Sequence, residues 1–223
     1  MSGQVLGLIT ARGGSQRLPG KNLALLGGRS LLQRTIDAAR ASVIDRLILS
    51  SDDPQIIAAA RSGGAEAPFV RPEALAGPTA SSIDVIRHAM AWVEAEAPGR
   101  YDILVLLQPT SPLRIAADID ATVALVRQGA STAVSVCPPP KAETLLLLDA
   151  GVAPRRVAEL GEVRQVNGAV YAARWNHLQV GGGLIDAATA FHDMPWRRSV
   201  DIDTAGDLAL AKALLAETVE DTP

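Results

Sequence analysis

Three cationic side chains lie close together near the start of the chain, in the sequence LITARGGSQRLPGKN. Arg12, Arg17 and Lys21 share this stretch with Gly13 and Gly14, whose backbone N–H groups can turn toward an anion without a Cβ in the way. Like charges repel at such short separations unless something negative lies among them. We therefore predict that this loop binds phosphate, the alternative being an ordinary connection between a strand and a helix.

The loop departs from two common phosphate motifs. A Walker A loop ends in Gly-Lys followed by Ser or Thr, but here Gly20 and Lys21 are followed by Asn22, which offers no hydroxyl to a magnesium ion. The dinucleotide fingerprint Gly-x-Gly-x-x-Gly is also missing. These departures exclude P-loop kinases and GTPases, and they remove the main argument for a nicotinamide or flavin enzyme.

Two carboxylates, Asp201 and Asp203, lie two residues apart near the other end of the chain. We predict that they lie in a strand, with Val200 and Ile202 packed beneath, where they would point the same way and repel each other unless a cation lay between them. Oxygen ligands without a nearby His or Cys favour magnesium. The local alternative is that Thr204 and Asp207 form a capping box for the next helix, with neighbouring acids favouring its N-terminus.

A third polar segment, QPTSPLR at residues 108–114, places an amide, two hydroxyls and an arginine around two prolines. The prolines stiffen the backbone, so the polar groups are held in definite directions. We predict that this loop orients a ligand. The alternative is a turn that caps the helix after it.

Strand and helix patterns alternate through the first two thirds of the chain. The apolar runs are apolar on both faces, which is typical of parallel strands covered by helices. We therefore predict a single α/β domain over residues 1–223, with a doubly wound, mostly parallel sheet and a ligand outside the carboxyl ends of its strands. The predicted strands are 4–11, 46–50 and 102–107, and the predicted helices are 31–41, 54–61, 82–95, 115–128 and 205–217.

The pattern changes after the three prolines at 138–140. Residues 144–149 and 165–173 resemble strands of an extended element, separated by an arginine-rich connection. We predict a small insertion at about 139–175 that extends away from the main sheet. Because an apolar extension needs a surface to cover it, we expect a second copy of the chain to dock there and form a homodimer.

Composition excludes several partners. Hydrophobic residues make up 48% and charged residues 20% of the chain, and the formal charge is −3 without a basic stripe, so neither nucleic acid nor a membrane is an expected partner. A single cysteine, Cys137, excludes an internal disulfide and lies in an apolar run. No targeting segment or membrane-spanning run is recognised, and we expect a cytoplasmic location.

Taken together, these motifs closely resemble those of the acylneuraminate cytidylyltransferases, the CMP-sialic acid synthetase family. The resemblance covers nearly the whole chain, and the motifs recur in the family's order. They are ARGGS and PGKN within residues 11–22, RPEALA at 71–76, QPTSPLR at 108–114, NGAVY at 167–171 and DIDT at 201–204.

The resemblance implies a Rossmann-like nucleotidyltransferase that uses magnesium to couple CTP to a 2-keto-3-deoxy (nonulosonic) sugar acid, releasing pyrophosphate. By this resemblance, Arg12, Lys21, Asp201 and Asp203 are catalytic, and the two aspartates hold the metal. The implied nucleotide contacts are Ala11, Arg12, Gly13, Gly14, Ser15, Lys21, Asn22, Arg71, Ala80 and Ser82. The sugar contacts proposed with it are Gln108, Thr110, Ser111, Lys141, Arg156, Arg164 and Tyr171, the three cations being candidates for the sugar carboxylate.

Two departures from the family pattern affect the sugar side. Arg155 and Arg156 are followed by Val157 instead of the family's glutamine, and the sequence GGGL at 181–184 replaces the usual aromatic residues. Legionaminic, pseudaminic and N-acetylneuraminic acids therefore all stay open as acceptors. Two broader alternatives are a 3-deoxy-manno-octulosonate cytidylyltransferase and a non-catalytic nucleotide-binding protein of the same fold. None of the three histidines is indicated as a general base.

Overall fold

The computed structural model of the chain describes residues 3–77, 79–139, 146–147, 155–156 and 162–220. The described strands are β1 (Gln4–Thr10), β2 (Leu25–Leu26), β3 (Arg29–Ser30), β4 (Arg46–Ser50), β5 (Tyr101–Leu107), β6 (Thr132–Cys137), β7 (Leu146–Leu147), β8 (Arg155–Arg156), β9 (Gln165–Arg174) and β10 (Ala190–Asp193). The described α-helices are α1 (Leu31–Arg40), α2 (Pro54–Gly63), α3 (Ser82–Glu96), α4 (Ala116–Arg127), α5 (Trp175–Gln179) and α6 (Ala205–Glu220). None of these helices is long and apolar enough to cross a membrane.

A six-stranded sheet in the order β10-β6-β9-β5-β1-β4 organises the fold. Strand β1 pairs in parallel with both β4 and β5, and β10 pairs in parallel with β6. The carboxyl ends of β1, β4 and β5 therefore meet at one edge, where the loops that follow them converge. The prediction of a mostly parallel α/β sheet is confirmed.

The predicted insertion at about 139–175 is wrong in its second half. Strand β9 lies inside the main sheet, antiparallel to both β5 and β6, with Ala172 paired to Val105 on one side and Ala133 on the other. The reason is that Ala169, Val170, Ala172 and Ala173 are all fully buried, which suits a central strand. Strands β7 and β8 do pair in a separate two-stranded sheet, and the rest of residues 140–161 lies outside the described part.

Side chains alternate between the two faces of the sheet. Val5 and Ile9 of β1 pack into the core cluster beneath α1, α2 and α4, whereas Leu6 and Leu8 pack into the cluster beneath α3 and α5. The strand therefore has two buried faces, as its continuous apolar run predicts. A third cluster lies under α6 and includes the fully buried Ile202.

Candidate active site

A polar cleft of about 500 Å³ opens where the loops after β1 and β5 converge. It collects residues from opposite ends of the sequence, including all four residues that were predicted to be catalytic. From the predicted set, the cleft is lined by Ala11, Arg12, Ser15, Lys21, Asn22, Arg71, Ala80, Ser82, Gln108, Thr110, Asp201 and Asp203.

The glycines of the first loop are placed differently from the prediction. Gly13 and Gly14 are not among the residues that line the cleft. The Gly13 N–H donates to Asp52 Oδ1 at 3.1 Å, and the Ser15 N–H donates to the Gly13 carbonyl at 2.9 Å. A Cβ on Gly13 would lie 2.6 Å from Asp53 Oδ2, so this glycine is required by a close contact within the protein. In this conformation the Gly13 N–H is therefore not available to an anion.

Three arginines line the cleft, and two of them, Arg12 and Arg71, are held by contacts with the protein. Arg71 is buried and donates from Nε and Nη2 to the side chain and carbonyl of Ser50, at 3.1 and 2.6 Å. Burial lowers the pKa of Arg71, Asp52 opposes this shift, and the like charge of Arg12 lowers it further. The backbone of Arg12 is held by Asn22 Nδ2, which donates to its carbonyl at 3.0 Å. Within the described residues the Arg12 guanidinium has no hydrogen bond or ion pair, so it is available to a bound anion.

The two aspartates face the cleft, but the predicted strand around them is wrong. Residues 199–204 have no regular secondary structure. Their position is set by Ile202, which is fully buried and whose N–H donates to the Thr110 carbonyl at 2.7 Å. With Ile202 anchored in the core, Asp201 and Asp203 on either side of it both reach the cleft.

Asp203 connects this segment to the loop that follows β1. Its Oδ1 lies 2.8 Å from Lys21 Nζ, and its Oδ2 lies 2.8 Å from Arg17 Nη2. The predicted capping box is separate and is confirmed: the Thr204 N–H donates to Asp207 Oδ2 at 2.7 Å, and the Asp207 N–H donates to Thr204 Oγ1 at 3.3 Å. The hydrogen bond from the Thr204 hydroxyl is the largest cause of the lowered pKa of Asp207. The Asp203 carboxylate is therefore free of the cap and belongs to the cleft.

The donor set suits magnesium that arrives with a phosphate ligand. Asp201 and Asp203 are hard oxygen donors at the wall of the cleft, which Arg12, Arg17 and Lys21 also line. In the part of the chain that the structure describes, no cluster of three or more His, Cys, Asp or Glu residues could hold a metal by itself. Magnesium is usually held by one or two carboxylates together with substrate phosphates and water, so two carboxylates fit this role.

The hydrogen bonds that hold the segment around Asp201 and Asp203 in place were not predicted from the sequence. Arg198 donates from Nε and Nη2 to the two carboxylate oxygens of the buried Asp118, at 3.2 and 2.8 Å. Burial raises the pKa of Asp118, but hydrogen bonds, first from Arg198, outweigh it and lower the pKa overall. Asn167 Nδ2 donates to Ser199 Oγ at 2.9 Å, while Asn167 Oδ1 accepts from Ser135 at 2.6 Å. The NGAVY motif contained this asparagine, but no local pattern connects Asp118 with Arg198.

A second cavity of about 710 Å³ adjoins the cleft and shares Gln108 and Asp201 with it. Tyr171 lines this second cavity, and burial followed by the charge of Asp201 raises its pKa. The shared residues mean that a ligand in the cleft and a ligand in the second cavity would meet at Asp201.

The other residues predicted to contact the sugar are not brought together here. Ser111 is fully buried and donates to the Asn167 carbonyl at 3.2 Å, because its hydroxyl braces the loop against β9. Arg164 lines neither cavity and is paired with Asp193 and Glu162. Lys141 and the side chain of Arg156 lie outside the described residues.

The ion pairs of Asp203 predict how the protein binds a divalent metal ion in the absence of nucleotide. We expect Arg17→Ala to raise the affinity of the nucleotide-free protein for Mn²⁺ by about two- to fivefold, the factor that an exposed ion pair is worth. Free Mn²⁺ can be measured by electron paramagnetic resonance during titration.

The matched control is Arg29→Ala. Arg29 and Arg17 have side chains that are 63% and 70% exposed, and Arg29 pairs with Asp37 away from the cleft. The control should leave Mn²⁺ affinity unchanged. Equal affinities in the unmodified protein and Arg17→Ala would contradict competition between Arg17 and the metal.

Comparisons with known proteins show which proteins this chain is similar to. A family model described as cytidylyltransferase matches residues 6–145. A CMP-N,N'-diacetyllegionaminic acid synthase from Legionella pneumophila is 30% identical over 231 residues, covering 95% of this chain and 96% of the relative. A pseudaminic acid cytidylyltransferase from Campylobacter jejuni is 39% identical over 107 residues, covering 48% of this chain and 46% of the relative.

One solved structure shows that the fold is shared. It is a CMP:2-keto-3-deoxy-manno-octonic acid synthetase complexed with CTP, which superposes with a TM-score of 0.72 over 96% of this chain and 99% of its own. The sequence identity is 20%, so this likeness concerns the fold alone.

Proposed function

Since this chain belongs to the cytidylyltransferase family, we propose that it transfers CMP from CTP to the anomeric hydroxyl of a nonulosonic sugar acid and releases pyrophosphate. The observation that carries this proposal is the meeting of two cavities at Gln108 and Asp201. One cavity has the cations that a triphosphate requires, and the other has room for an acceptor beside it. Transfer between two ligands needs this adjacency because their reacting atoms must come within contact distance.

The cleft would hold the nucleotide. Arg12, Lys21 and Arg17 would contact the triphosphate, and their charge would stabilise the negative charge that builds up as pyrophosphate leaves. Ser82 is the first residue of α3, so this end of the cleft also faces the positive end of a helix dipole. Asn22, Arg71 and Ala80 would complete the nucleotide contacts.

Asp201 and Asp203 would hold magnesium, which on binding supplies Lewis-acid polarisation of phosphate oxygens and neutralises their charge. The chain itself would contribute an exchange of ion-pair partners, in which Lys21 and Arg17 leave Asp203 for the phosphate oxygens. In the present structure Lys21 and Arg17 neutralise Asp203. When a triphosphate enters, both cations can turn to its oxygens, which frees the carboxylate of Asp203 for the metal.

The second cavity would hold the sugar acid. Gln108 and Tyr171 offer hydrogen bonds, and Asp201 marks the side where the acceptor hydroxyl would approach the α-phosphorus. Among the described residues that line this cavity there is no Lys or Arg. The cation for the sugar carboxylate is therefore proposed to come from the predicted Lys141 or Arg156, either within the chain or from a second copy in a homodimer.

A cytoplasmic location also stays a prediction.

The decisive experiment measures pyrophosphate release from CTP and magnesium with a panel of acceptors. The panel contains N,N'-diacetyllegionaminic, pseudaminic, N-acetylneuraminic and 3-deoxy-manno-octulosonic acids. We expect release with at least one nonulosonic acid. Release with 3-deoxy-manno-octulosonic acid alone would show that the chain uses the alternative acceptor. A 63-residue part of the chain is 49% identical to a 3-deoxy-manno-octulosonate cytidylyltransferase. CTP binding without release for any acid would overturn the proposal.

A further inference from the structure

Three large apolar side chains converge on the second cavity while staying exposed. Val166 is 38% exposed, Trp196 53% and Leu210 45%, and all three line that cavity but not the nucleotide cleft. Single exposed apolar residues are common on protein surfaces. Several exposed apolar residues that line one cavity beside a proposed reaction centre indicate a binding surface.

These side chains come from three separate elements, so the surface is formed by the tertiary fold. Val166 lies on β9, Trp196 begins the short helical turn before the aspartate segment, and Leu210 lies on α6. The Arg197 guanidinium lies 5.5 Å from the centroid of the Trp196 ring, within the range of a cation–π contact. The neighbouring Ala211 and Leu214 are buried in the core, so the packing of α6 sets the orientation of Leu210.

We propose that Val166, Trp196 and Leu210 form an apolar wall that selects acceptor sugar acids with acylamino groups and a terminal methyl over acceptors with a hydroxylated tail. This inference rests on the proposed function and names the acceptor class. The methyl groups of such an acceptor gain from leaving water against the wall. Hydroxyl groups there would lose hydrogen bonds to water and find at most one partner on these three side chains, the indole N–H of Trp196.

The position of the wall favours the acceptor as its occupant. The cavity joins the nucleotide cleft through Gln108 and Asp201, and the wall residues belong to the second cavity alone. An acceptor whose anomeric hydroxyl lies at Asp201 therefore extends its distal carbons away from the shared boundary, toward the wall. The cavity volume of about 710 Å³ is within the range of small-molecule sites.

The test compares kcat/KM for N,N'-diacetyllegionaminic acid and N-acetylneuraminic acid. For the unmodified chain we expect a preference of about 10- to 100-fold for the first acid, the range that an apolar pocket achieves against added hydroxyl groups. Trp196→Ala and Leu210→Ser should each reduce this preference several-fold, chiefly by raising KM for the preferred acid. KM for CTP should stay the same.

Phe191→Ala is the matched control. Phe191 is 56% exposed on the edge strand β10 and lines neither cavity. The control should keep the acceptor preference. Thermal melting of each variant separates a change in acceptor preference from a loss of fold. If Trp196→Ala unfolds, Leu210→Ser still tests the wall.

The outcomes separate this inference from the proposed function. Equal kcat/KM for both acids in the unmodified chain, or an unchanged preference in both folded wall variants, would overturn the wall alone. A changed oligomeric state with unchanged preference would assign these side chains to a subunit contact and would also overturn it. No turnover with any acid would overturn the proposed function, and the wall with it.

Discussion

Asp203→Asn is expected to lower kcat/KM for pyrophosphate release by at least about 1,000-fold while the melting temperature stays within about 3 °C. The neutral amide would no longer neutralise Lys21 and Arg17, which lie 2.8 Å from the two carboxylate oxygens. It would also be a poor ligand for magnesium. The helix cap would persist because Thr204 and Asp207 form it through their own groups. Pyrophosphate release and thermal melting measure the two effects.

Asp37→Asn is the control for this change. The side chains of Asp37 and Asp203 are 35% and 32% exposed, and each pairs with an exposed arginine, but Asp37 lies away from the cleft. The control should retain turnover. Substantial activity in Asp203→Asn would contradict the catalytic role, and a large fall in its melting temperature would show that Asp203 mainly supports the fold.

Arg114→Met is expected to lower the free energy of unfolding by about 3–5 kcal/mol. Arg114 is buried and donates to the Ala169 carbonyl and to Thr35 Oγ1, both at 2.8 Å, and to the Gln108 carbonyl. Burial lowers its pKa to about 9, with Asp118 and Asp201 opposing the shift, so the side chain is still charged at neutral pH. Methionine fills a similar volume but leaves these acceptors without donors.

Urea unfolding at neutral pH measures this loss. The control is Arg100→Met, since Arg100 is exposed; in the described part of the chain its guanidinium donates to Gln4 Oε1 at 2.7 Å and lies 5.7 Å from the centroid of the Tyr101 ring. We expect the control to cost less than about 1 kcal/mol. If both variants lost the same stability, Arg114 would not brace the 108–114 loop against β9.

Much of the fold could be predicted because its signals are local. The strand at 46–50 was predicted with the bounds that the structure shows for β4, since its apolar residues are continuous and turn signals flank it. Helix starts were also readable. Ser30 caps α1 by accepting from the Gln33 N–H, and Asp53 with Pro54 begins α2.

The placement of β9 could not be read from the chain order. A strand that enters the sheet between β5 and β6 is defined by pairing with residues far away in sequence, and its own residues fit an edge hairpin equally well. The orientation of Asp201 and Asp203 was predicted from strand alternation. In the structure the same orientation results from one buried isoleucine and one hydrogen bond to Thr110.

The site residues also fall into two groups, those that local sequence predicts and those that it does not. Its charged residues were found because cations crowd the first loop and carboxylates repeat near the end of the chain. The groups that hold them were missed because they join distant residues, as Asp118 and Arg198 do. Gly13 was predicted to bind phosphate through its amide, and only the fold shows that this amide donates to Asp52 and that a Cβ on Gly13 would meet Asp53.

The central position of β9 has a consequence for how the chain is synthesised. Strand β5 ends at Leu107 and β6 at Cys137, but β9, which pairs with both, begins only at Gln165. During translation, the β4-β1-β5 unit therefore has one unpaired apolar edge, and β6 has no neighbour through which to join it. Such edges are the usual sites of intermolecular strand pairing. The nascent sheet becomes continuous only after β9 has been synthesised. The period in which intermolecular strand pairing can occur at these edges therefore lasts until β9 is available.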